Sequence, residues 1–468
     1  MGQTKVVVIG GGPGGYVAAI RLSQLGAAVT LIEKDRVGGT CLNRGCISTK
    51  SLLADAKFLR SLKRSPVFHH LLPDGLDPLE AMMQRKRNVV QEMVKGVELI
   101  LQSHRINIVK GRGDLAGPNR IVFRNPEGVQ KEIDADGIIL APGSRTRALP
   151  HLSPDGDRII TSDEALEVRK VPSEIVIVGG GYIGVEFATF FSTLGSKVTI
   201  VEILDAILPG IEAELVRNLR RVFEKEGVRV YTQSSIEELH SHEGRLRLLL
   251  KTPQGMLESG ADQLLLSVGR SPYLDLDFSK AGVEVSSSGI KVNRLMETTA
   301  PGVYAIGDAV GGLLLAHVAS EEGVIAAENL MGMDHPMEDG PMPACVFTYP
   351  EIASIGLSEK EARSRGEIRV GRFPFRSNPK ALVSEETEGL IKVVADRETD
   401  EILGIHIIGP EASTLIAVAS MMVLQRAKAR DFSKLIQAHP TLPEALKEAA
   451  LDVDGMAIHL PKPLRGPK

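Results

Sequence analysis

Two cysteines, Cys41 and Cys46, are the most reactive side chains in the sequence, and they lie in Gly-Gly-Thr-Cys-Leu-Asn-Arg-Gly-Cys-Ile-Ser-Thr-Lys, residues 38–50. In a regular helix this spacing separates the Cα atoms by about 8.6 Å, whereas a disulfide needs about 4.4 to 6.8 Å. A bridge therefore requires a bent chain, with Cys41 ahead of a helix, Gly45 giving slack and Cys46 near the helix N-terminus, where a thiol pKa falls. Because so tight a loop stabilises little and is readily reduced, the spacing favours a redox-active pair, and two inert thiols are the alternative.

Composition excludes several classes of protein. The 468 residues include 55 Lys and Arg against 59 Asp and Glu, a net charge of −4, so no basic surface indicates nucleic acid or an anionic membrane as partner. The longest apolar run, near Leu415–Leu424, is too short to span a bilayer, and no leader peptide precedes the apolar stretch Lys5–Ile9. We therefore expect a soluble, cytoplasmic protein, and the length predicts about three domains.

The cysteine count agrees with a redox role. Three cysteines in so long a chain do not form a disulfide scaffold, so a paired Cys41 and Cys46 in a reducing compartment is expected to be catalytic. Cys345 has no partner in the sequence, and we expect it to be a buried core thiol. We predict no metal site.

A dinucleotide-binding pattern opens the chain. A predicted strand, Lys5–Ile9, runs into the glycine-rich stretch Gly10–Gly15 and a predicted helix, Tyr16–Leu25. A second predicted strand, Ala28–Ile32, ends on Glu33. Glycines let the backbone approach a pyrophosphate, the helix N-terminus faces it, and the carboxylate accepts ribose hydroxyls. A glycine pattern alone would be weak evidence, but here the strand, the helix and the acid all fall in their required places.

The same pattern returns later in the chain. A predicted strand, Glu174–Val178, precedes the glycine-rich stretch Gly179–Gly184, and a strand Lys197–Val201 ends on Glu202. Four glycines and the acid of the first pattern recur here in the same order and with the same spacing, so two nucleotide-binding units are predicted. Two units imply two dinucleotides with electrons passing between them. A nicotinamide delivers hydride, a disulfide needs two electrons, and a flavin is the usual connector.

Beyond residue 343 the pattern changes. Between the two units, residues 51–101 are rich in helix formers, with a polar break around Pro73–Pro78. From Pro343 onward we predict strands at 369–375, 389–395 and 402–408, a helix at 413–426 and a last helix after Leu442. The His439-Pro440 pair is expected to begin this carboxy-terminal helical segment. We interpret this region as an α+β domain distinct from the nucleotide-binding units.

At this point the chain resembles the flavin-dependent pyridine nucleotide-disulfide oxidoreductases from end to end. The Gly38–Cys46 stretch is highly specific to that family, Gly307-Asp308 matches its second FAD motif, and His-Pro-Thr-Leu-Pro-Glu at 439–444 matches its carboxy-terminal dyad. Residues 346–351 and 402–409 are similar to the dimerisation domain of the dihydrolipoamide dehydrogenase branch. Three residues stand where the family usually has proline, threonine and glutamate: Ser48, Pro142 and Thr414.

The resemblance implies an α/β fold with two Rossmann-like dinucleotide-binding domains and a C-terminal α+β dimerisation domain. The FAD-binding domain would comprise residues 1–150 and 273–342, the NAD-binding domain residues 151–272, and the dimerisation domain residues 343–468. The implied reaction oxidises protein-bound dihydrolipoyl groups to lipoyl disulfide and reduces NAD to NADH. The implied partners are a second copy of the chain and a lipoyl-bearing subunit of a 2-oxo acid dehydrogenase complex or a glycine-cleavage carrier.

The resemblance also assigns cofactor contacts. The residues assigned to FAD are Gly10, Gly12, Gly15, Glu33, Lys50, Gly113, Asp308 and Ala316. The residues assigned to NAD are Gly179, Gly181, Gly184, Glu202 and Gly269. Because Glu202 would accept bonds from a ribose 2′-hydroxyl and repel a 2′-phosphate, and residues 203–206 contain no arginine, we predict a preference for NAD over NADP.

Catalytic roles follow from the same resemblance. Cys46 would lie against the flavin as a thiolate, and Cys41 would exchange with substrate sulfur. Lys50 and Glu186 match the family's ion pair beside the flavin ring, and two surface helix charges are the alternative. His439 of one chain would take the substrate proton at the disulfide of the other chain, oriented by Glu444, and a structural histidine before a proline turn is the alternative.

Other functions on the same scaffold are the alternatives. Glutathione-type reductases run from NADPH, and mercuric or thioredoxin reductases of this lineage add a C-terminal thiol or selenol pair, whereas residues 460–468 contain no cysteine. A different class is a non-enzymatic flavoprotein serving as a scaffold in a multienzyme complex. Retention of both cysteines, His439 and Glu444 argues against it, and a turnover assay with free lipoamide distinguishes the two.

Overall fold

The computed structural model describes residues 2–71, 73, 76–242 and 244–461. The chain divides into two compact units. The first consists of Met1–Asp55, Ser65–Lys170 and Val268–Asp339, and the second of Ala56–Arg64, Val171–Ser267 and Gly340–Lys468. In the described part of the chain, no helix combines the length and the apolar character needed to cross a membrane.

The elements from Lys5 to Ala165 mix strands and helices. In chain order they are β1 (Lys5–Ile9), α1 (Pro13–Gln24), β2 (Ala28–Glu33), α2 (Gly39–Arg44), α3 (Cys46–Arg64), α4 (Leu79–Ser103), β3 (Asn107–Lys110), β4 (Arg112–Gly117), β5 (Arg120–Arg124), β6 (Gln130–Asp134), β7 (Gly137–Leu140), β8 (Ser144–Thr146), β9 (Ile159–Thr161) and α5 (Ser162–Ala165). A 3₁₀ turn at His69–Leu71 lies between α3 and α4.

The next segments carry the second nucleotide-binding pattern and the return of the chain to the first unit. They contain β10 (Glu174–Val178), α6 (Tyr182–Thr193), β11 (Lys197–Val201), α7 (Ala213–Lys225), β12 (Arg229–Tyr231), β13 (Ser235–His242), β14 (Arg245–Thr252), β15 (Gly255–Ala261), β16 (Gln263–Leu266), β17 (Arg270–Pro272), β18 (Val285–Ser286), β19 (Gly289–Ile290), β20 (Val303–Ala305) and α8 (Ala316–Leu330). Two 3₁₀ turns lie at Ser279–Ala281 and Gly307–Val310.

The last segment is rich in antiparallel strands. It contains β21 (Ala344–Val346), β22 (Glu351–Gly356), α9 (Glu359–Arg365), β23 (Ile368–Pro374), a 3₁₀ turn (Phe375–Ser377), α10 (Pro379–Val383), β24 (Leu390–Asp396), β25 (Ile402–Gly409), α11 (Ala412–Leu424), α12 (Ala429–Ser433) and α13 (Glu444–Asp452).

The first unit is built on a parallel sheet in the order β20-β7-β1-β2-β3. Residues 6–9 of β1 and all of β7 are buried, which is the near-continuous apolar pattern of a sheet covered on both faces. Helices α1 and α8 pack closely because glycines meet there: a Cβ on Gly323 would lie 2.5 Å from the carbonyl oxygen of Gly14. This packing fixes the N-terminal end of α1 beside the carboxyl end of β1, where the first glycine-rich stretch lies.

The second unit contains a parallel sheet and two antiparallel sheets. Its parallel strands run in the order β12-β11-β10-β16, and β10 pairs with β11 from Glu174 opposite Lys197 to Val178 opposite Val201. The smaller antiparallel sheet has the order β13-β14-β15, and the larger has the order β21-β22-β25-β24-β23.

One apolar core joins the larger antiparallel sheet to the C-terminal helices. Buried side chains of the strands and of α11, α12 and α13 form it, including Phe373, Ile407 and Leu446. Cys345, expected to be a buried core thiol, is half-buried and packs against this core from β21, an edge strand of the sheet. An edge strand is covered by a neighbour on one side only, so part of its surface stays open to solvent.

The predicted strands match the observed ones closely, but one predicted helix boundary is wrong. The C-terminal helix begins at Glu444, which agrees with the helix predicted after Leu442. The expectation that His439-Pro440 begins this helix is wrong, because Pro440 and Pro443 lack the N–H that a helix interior requires. The predicted break around Pro73–Pro78 lies partly outside the described residues, and residues 462–468 lie outside them entirely.

Candidate functional site

The cysteine pair lies at the junction of two helices in the first unit. Cys41 lies in the short helix α2, and Cys46 is the first residue of α3. Gly45 joins them, and a Cβ there would lie 2.9 Å from the carbonyl oxygen of Thr40. The bend at Gly45 and the placement of Cys46 at a helix N-terminus are as expected, whereas Cys41, expected ahead of a helix, is itself helical.

The two sulfurs interact directly. Both residues are half-buried thiols. A side-chain hydrogen bond with Cys46, burial and the charge of Cys46 raise the pKa of the Cys41 thiol well above its usual value, and the nearby Lys50 ammonium opposes this shift. The hydrogen bond brings the two sulfurs within direct reach of each other. Such proximity suits a pair that exchanges disulfide with a substrate thiol.

Side chains within the loop hold α2 in place. The Asn43 side-chain amide donates to the carbonyl oxygens of Val37 at 3.1 Å and Gly39 at 2.9 Å. At the other end of α2, the buried Ser48 hydroxyl donates to the carbonyl oxygen of Asn43 at 3.0 Å. Ser48, which replaces the family's usual proline, thus satisfies a carbonyl at the C-terminus of α2 that would otherwise lack an intrahelical donor.

The first glycine-rich stretch forms a tight turn before α1. Gly10 has a φ of +104°, and a Cβ on Gly15 would lie 1.8 Å from the Gly10 carbonyl oxygen. A Cβ on Gly12 would meet no atom within 4 Å, so open space adjoins the N-terminus of α1. Exposed N–H groups beside open space are what a dinucleotide pyrophosphate requires, so these residues fit FAD.

Two acidic residues occupy equivalent positions in the two units. Glu33 accepts hydrogen bonds from the N–H groups of Gly11 at 2.7 Å and Asp35 at 2.8 Å. Glu202 accepts from those of Gly180 at 2.6 Å and Leu204 at 2.8 Å. Both carboxylates are buried, and each oxygen keeps a lone pair free of these bonds. The geometry suits acceptance of ribose hydroxyls.

The second glycine-rich stretch repeats the first. Gly179 has a φ of +101°, a Cβ on Gly184 would lie 2.0 Å from the Gly179 carbonyl oxygen, and a Cβ on Gly181 would meet no atom within 4 Å. Gly269 also has a positive φ, +97°, and open space around its Cβ position. The turn at Gly179, Gly181 and Gly184 fits a second dinucleotide.

The predicted second FAD motif lies in the first unit. Asp308 lies in the 3₁₀ turn after β20, and its carboxylate accepts a hydrogen bond from the Ser144 hydroxyl. Ala316 is the first residue of α8, where backbone N–H groups are free of intrahelical acceptors. Gly113 lies in β4, where a Cβ would be 3.1 Å from Cδ1 of Ile32.

Glu322 adjoins this motif but belongs to none of the motifs recognised in the sequence. Its carboxylate accepts the Gly307 N–H at 2.6 Å. Burial raises the pKa of Glu322, and the negative charge of Asp308 raises it further. The hydrogen bond from the Gly307 N–H lowers it, and the resulting pKa is about 7. The available signal in the sequence is an acidic residue that follows the second FAD motif, Gly307-Asp308.

The histidine and glutamate predicted as a dyad are in contact in the second unit. Nδ1 of His439 lies 2.9 Å from Oε1 of Glu444, and Oε2 of Glu444 accepts the Thr441 N–H at 2.7 Å. Burial raises the pKa of Glu444, but the bonds from His439 and Thr441 outweigh it and leave the pKa below its usual value. The carboxylate therefore stays ionised and holds the ring by Nδ1, which leaves Nε2 for proton transfer.

Lys50 and Glu186 lie on helices that begin at functional motifs. Lys50 is one helical turn beyond Cys46 on α3. Glu186 lies on α6 and is buried, and its Oε1 accepts the Phe347 N–H at 3.0 Å. Their pairing with each other stays a prediction.

Comparison with known proteins identifies the family. Residues 4–323 match the pyridine nucleotide-disulphide oxidoreductase profile, and residues 342–450 match the dimerisation domain of that family. The chain belongs to the pyridine nucleotide-disulphide oxidoreductases. It is therefore an enzyme, and it uses FAD and NAD.

Individual members of the family show similarity over nearly the whole chain. Dihydrolipoyl dehydrogenase of Bacillus subtilis is 40% identical over 459 residues, covering 97% of this chain and 99% of the relative. Mitochondrial dihydrolipoyl dehydrogenase 1 of Arabidopsis thaliana is 38% identical over 98% of this chain and 92% of the relative. The crystal structure of LpdA from Mycobacterium tuberculosis superposes with a TM-score of 0.88 at 28% identity, covering 96% of this chain and 99% of that chain. The predicted fold class is confirmed by these similarities to oxidoreductases of this family.

Proposed function

We propose that this pyridine nucleotide-disulphide oxidoreductase oxidises dihydrolipoyl groups to lipoyl disulfide and reduces NAD to NADH through the Cys41–Cys46 pair and FAD. Full-length similarity to dihydrolipoyl dehydrogenases supports the reaction. The observation that carries the assignment is the interacting thiol pair at the α2–α3 junction, in the same unit as the glycine-rich turn that fits FAD.

FAD, when bound, supplies the two-electron relay between the dithiol and NAD. We assign its pyrophosphate to the turn at Gly10, Gly12 and Gly15, its adenosine ribose to Glu33, and a further contact to Asp308. Backbone contacts are assigned to Gly113 and Ala316, and Lys50 is assigned to the flavin side of α3. For NAD we assign Gly179, Gly181, Gly184, Glu202 and Gly269 in the same way.

The residues of the chain carry the sulfur chemistry. One substrate thiolate attacks Sγ of Cys41 in the oxidised pair, so a mixed disulfide forms and Cys46 leaves as a thiolate. The second substrate thiolate then attacks the mixed disulfide, which releases lipoyl disulfide and the Cys41 thiolate. Two electrons have passed to the cysteine pair, and their transfer to NAD restores the disulfide and releases one proton overall.

His439 provides the base for this exchange. A substrate thiol is mostly protonated at neutral pH, and a histidine imidazole is a suitable base to remove that proton. Glu444 accepts from Nδ1 and so directs Nε2 toward the substrate, as an orienting carboxylate does in a catalytic triad. We place Lys50 and Glu186 as an ion pair beside the flavin ring.

The assembly we propose is a homodimer in which His439 and Glu444 of one chain serve the cysteine pair of the other. The presence of the family's dimerisation domain at residues 342–450 supports it. The proposed physiological substrate is the lipoyl group of a 2-oxo acid dehydrogenase complex or a glycine-cleavage carrier. The domain boundaries given above and the cytoplasmic location stay predictions.

A turnover assay with dihydrolipoamide and NAD tests the reaction. The purified wild type should be yellow and active, and two reducing equivalents added without oxygen should give long-wavelength absorbance from a Cys46 thiolate beside oxidised flavin. Cys46→Ser should lack this absorbance, and its kcat should be lower than that of the wild type by at least about a thousandfold, as is typical when a nucleophilic group is removed. Cys345→Ser, the matched control, should retain both. Persistence of the absorbance in Cys46→Ser would refute the assignment.

A further inference from the structure

Arg44 lies between the two cysteines and forms ion pairs on both sides of the loop. It is the last residue of α2, and its guanidinium contacts the carboxylate of Asp35 and lies 3.8 Å from Oδ2 of Asp163. All three residues belong to the first unit. The cation is also well placed for the C-terminal end of α2, where a positive charge is favourable.

Asp35 connects Arg44 to the first ribose carboxylate. The N–H of Asp35 donates to Oε1 of Glu33 at 2.8 Å, and Oε2 of Glu33 accepts from Gly11 at 2.7 Å. A continuous set of contacts therefore runs from the glycine-rich turn through Glu33 and Asp35 to the redox loop.

Asp163 links Arg44, through charge interactions, to residues near the second FAD motif. Burial raises the pKa of Asp163, and the charges of Arg44 and Arg270 oppose this shift. Arg270 donates from Nε to the Ser144 hydroxyl at 2.7 Å, and that hydroxyl donates to Asp308. Chains of interactions thus connect Arg44 to both Glu33 and Asp308, the two carboxylates to which FAD contacts are assigned.

An isolated helix of six residues has little stability of its own, so the position of α2 depends on such contacts. We infer that Arg44 is a positioning residue that holds α2, and with it Cys41, against Cys46 and so raises the tendency of the two thiols to form a disulfide. A pair held together loses less chain entropy on closing the S–S bond than a pair on a loose loop. The inference deepens the proposed function, because it concerns the same redox pair.

The equilibrium between the dithiol and the disulfide measures this effect. The holoenzyme is equilibrated without oxygen in mixtures of reduced and oxidised dithiothreitol, and the alkylated fraction of Cys41 and Cys46 is read by mass spectrometry. In that exchange the cysteine pair loses two electrons and two protons, and oxidised dithiothreitol gains both. Arg44→Met should lower the equilibrium constant for disulfide formation about tenfold, which corresponds to about 30 mV for a two-electron couple.

The dependence on salt concentration distinguishes an effect of the Arg44 ion pairs from a general effect of packing. The side chains of Arg44 and Asp35 are 45% and 48% exposed, so added salt screens their attraction. The wild-type equilibrium constant should fall toward the Arg44→Met value as ionic strength rises, and the variant should change little. Arg44→Lys should restore part of the effect, since it keeps the charge but loses the planar fork.

Control variants give the experiment a clear negative outcome. Arg120→Met removes a similarly exposed arginine of the first unit that pairs with Asp134, and it should leave the equilibrium unchanged. If Arg44→Met does not fold, Asp163→Asn removes only the ion pair between Arg44 and Asp163. It should lower the equilibrium constant for disulfide formation by a smaller factor than Arg44→Met. Equal equilibrium constants for wild type, Arg44→Met and Asp163→Asn at low salt would overturn the inference. Failure of dihydrolipoamide turnover in the wild type would instead overturn the proposed function and leave this measurement intact.

Discussion

At the scale of single residues, Glu33 and Glu202 show which contacts of an acidic residue its sequence motif predicts and which it does not. Each closes a turn by accepting two backbone N–H groups, at 2.7 and 2.8 Å in the first unit and at 2.6 and 2.8 Å in the second. The sequence predicts an acid at the end of the second strand of each unit, because a ribose needs an acceptor there. It does not predict the bonds to Asp35 and Leu204, since these depend on the backbone path after the strand.

Nucleotide preference follows from Glu202. We expect kcat/KM for NAD to exceed that for NADP by at least about a hundredfold, equivalent to about 2.7 kcal/mol. A 2′-phosphate would place negative charge against a buried carboxylate whose two oxygens are already held by backbone donors. Steady-state kinetics with both nucleotides measure the ratio, and Glu202→Ala should reduce it. Equal efficiency with NAD and NADP in the wild type would show that Glu202 does not face the ribose.

At the element scale, a buried lysine joins α7, α9 and the larger antiparallel sheet of the second unit. Lys392 on β24 is buried, and its Nζ lies 2.8 Å from Glu212, 2.9 Å from Glu214 and 2.6 Å from Glu359. Its cross-strand neighbour is the buried His406 on β25. The ammonium therefore lies among three carboxylates whose repulsion would otherwise oppose the packing of α7 and α9.

Removing this ammonium should destabilise the second unit in a pH-dependent way. Burial raises the pKa of Glu359, but bonds from Lys392 and Arg363 outweigh it and hold the pKa at about 2. A carboxyl group whose pKa is depressed in the folded protein stabilises the fold at pH values above its unfolded-state pKa, which is about 4.3 for glutamate. This contribution is lost as the pH falls toward 2. Lys392→Met should therefore cost about 3 to 5 kcal/mol at neutral pH, as breaking a buried ionic network does. The difference from wild type should shrink below about pH 4.

Thermal unfolding followed from pH 3 to pH 8 measures this difference. Lys225→Met is the matched control, because Lys225 also forms an ion pair in the second unit, with Glu388, but is 67% exposed. It should change the melting temperature by no more than about 2 °C, as expected for a surface pair. A constant deficit for Lys392→Met at every pH would contradict the electrostatic explanation.

The sequence predicts the elements around Lys392 but not the cluster. The apolar residues of β24 predict the strand, and a single lysine in such a strand is expected at a solvated position. Its partner Glu212 lies 180 residues earlier in the chain, so no local pattern indicates the contact. The same limit applies to Arg44, whose partner Asp163 belongs to a separate helix, α5.

At the scale of the whole molecule, the repeat and the family motifs specify the fold class, and long-range contacts decide the rest. The glycine-rich turns, strands and acids recur with the same spacing, and this predicts two nucleotide-binding sheets. The sequence predicts helical structure after Ser51, yet the end of α3, Ala56–Arg64, belongs to the second unit. There Lys57 pairs with three acids of the C-terminal segment: Glu351, Glu386 and Glu411. Sequence periodicity carries no information about such partners.

The last prediction concerns the proposed dimer, in which His439 of one chain acts on the cysteine pair of the other. Cys46→Ser and His439→Gln chains should each be nearly inactive alone, the second by about 10² to 10⁴ in kcat/KM, as for loss of a general base. In a mixed dimer with a cross-subunit site, one centre combines both defects while the other has an intact Cys46 and an intact His439. Subunit exchange should therefore restore about half of the wild-type activity per mixed dimer. A site within one chain would leave each centre with one defect, so verified exchange without recovered turnover would refute the cross-subunit arrangement. Because isologous pairing places the same two residues at both centres, a single pair of variants decides between the two arrangements.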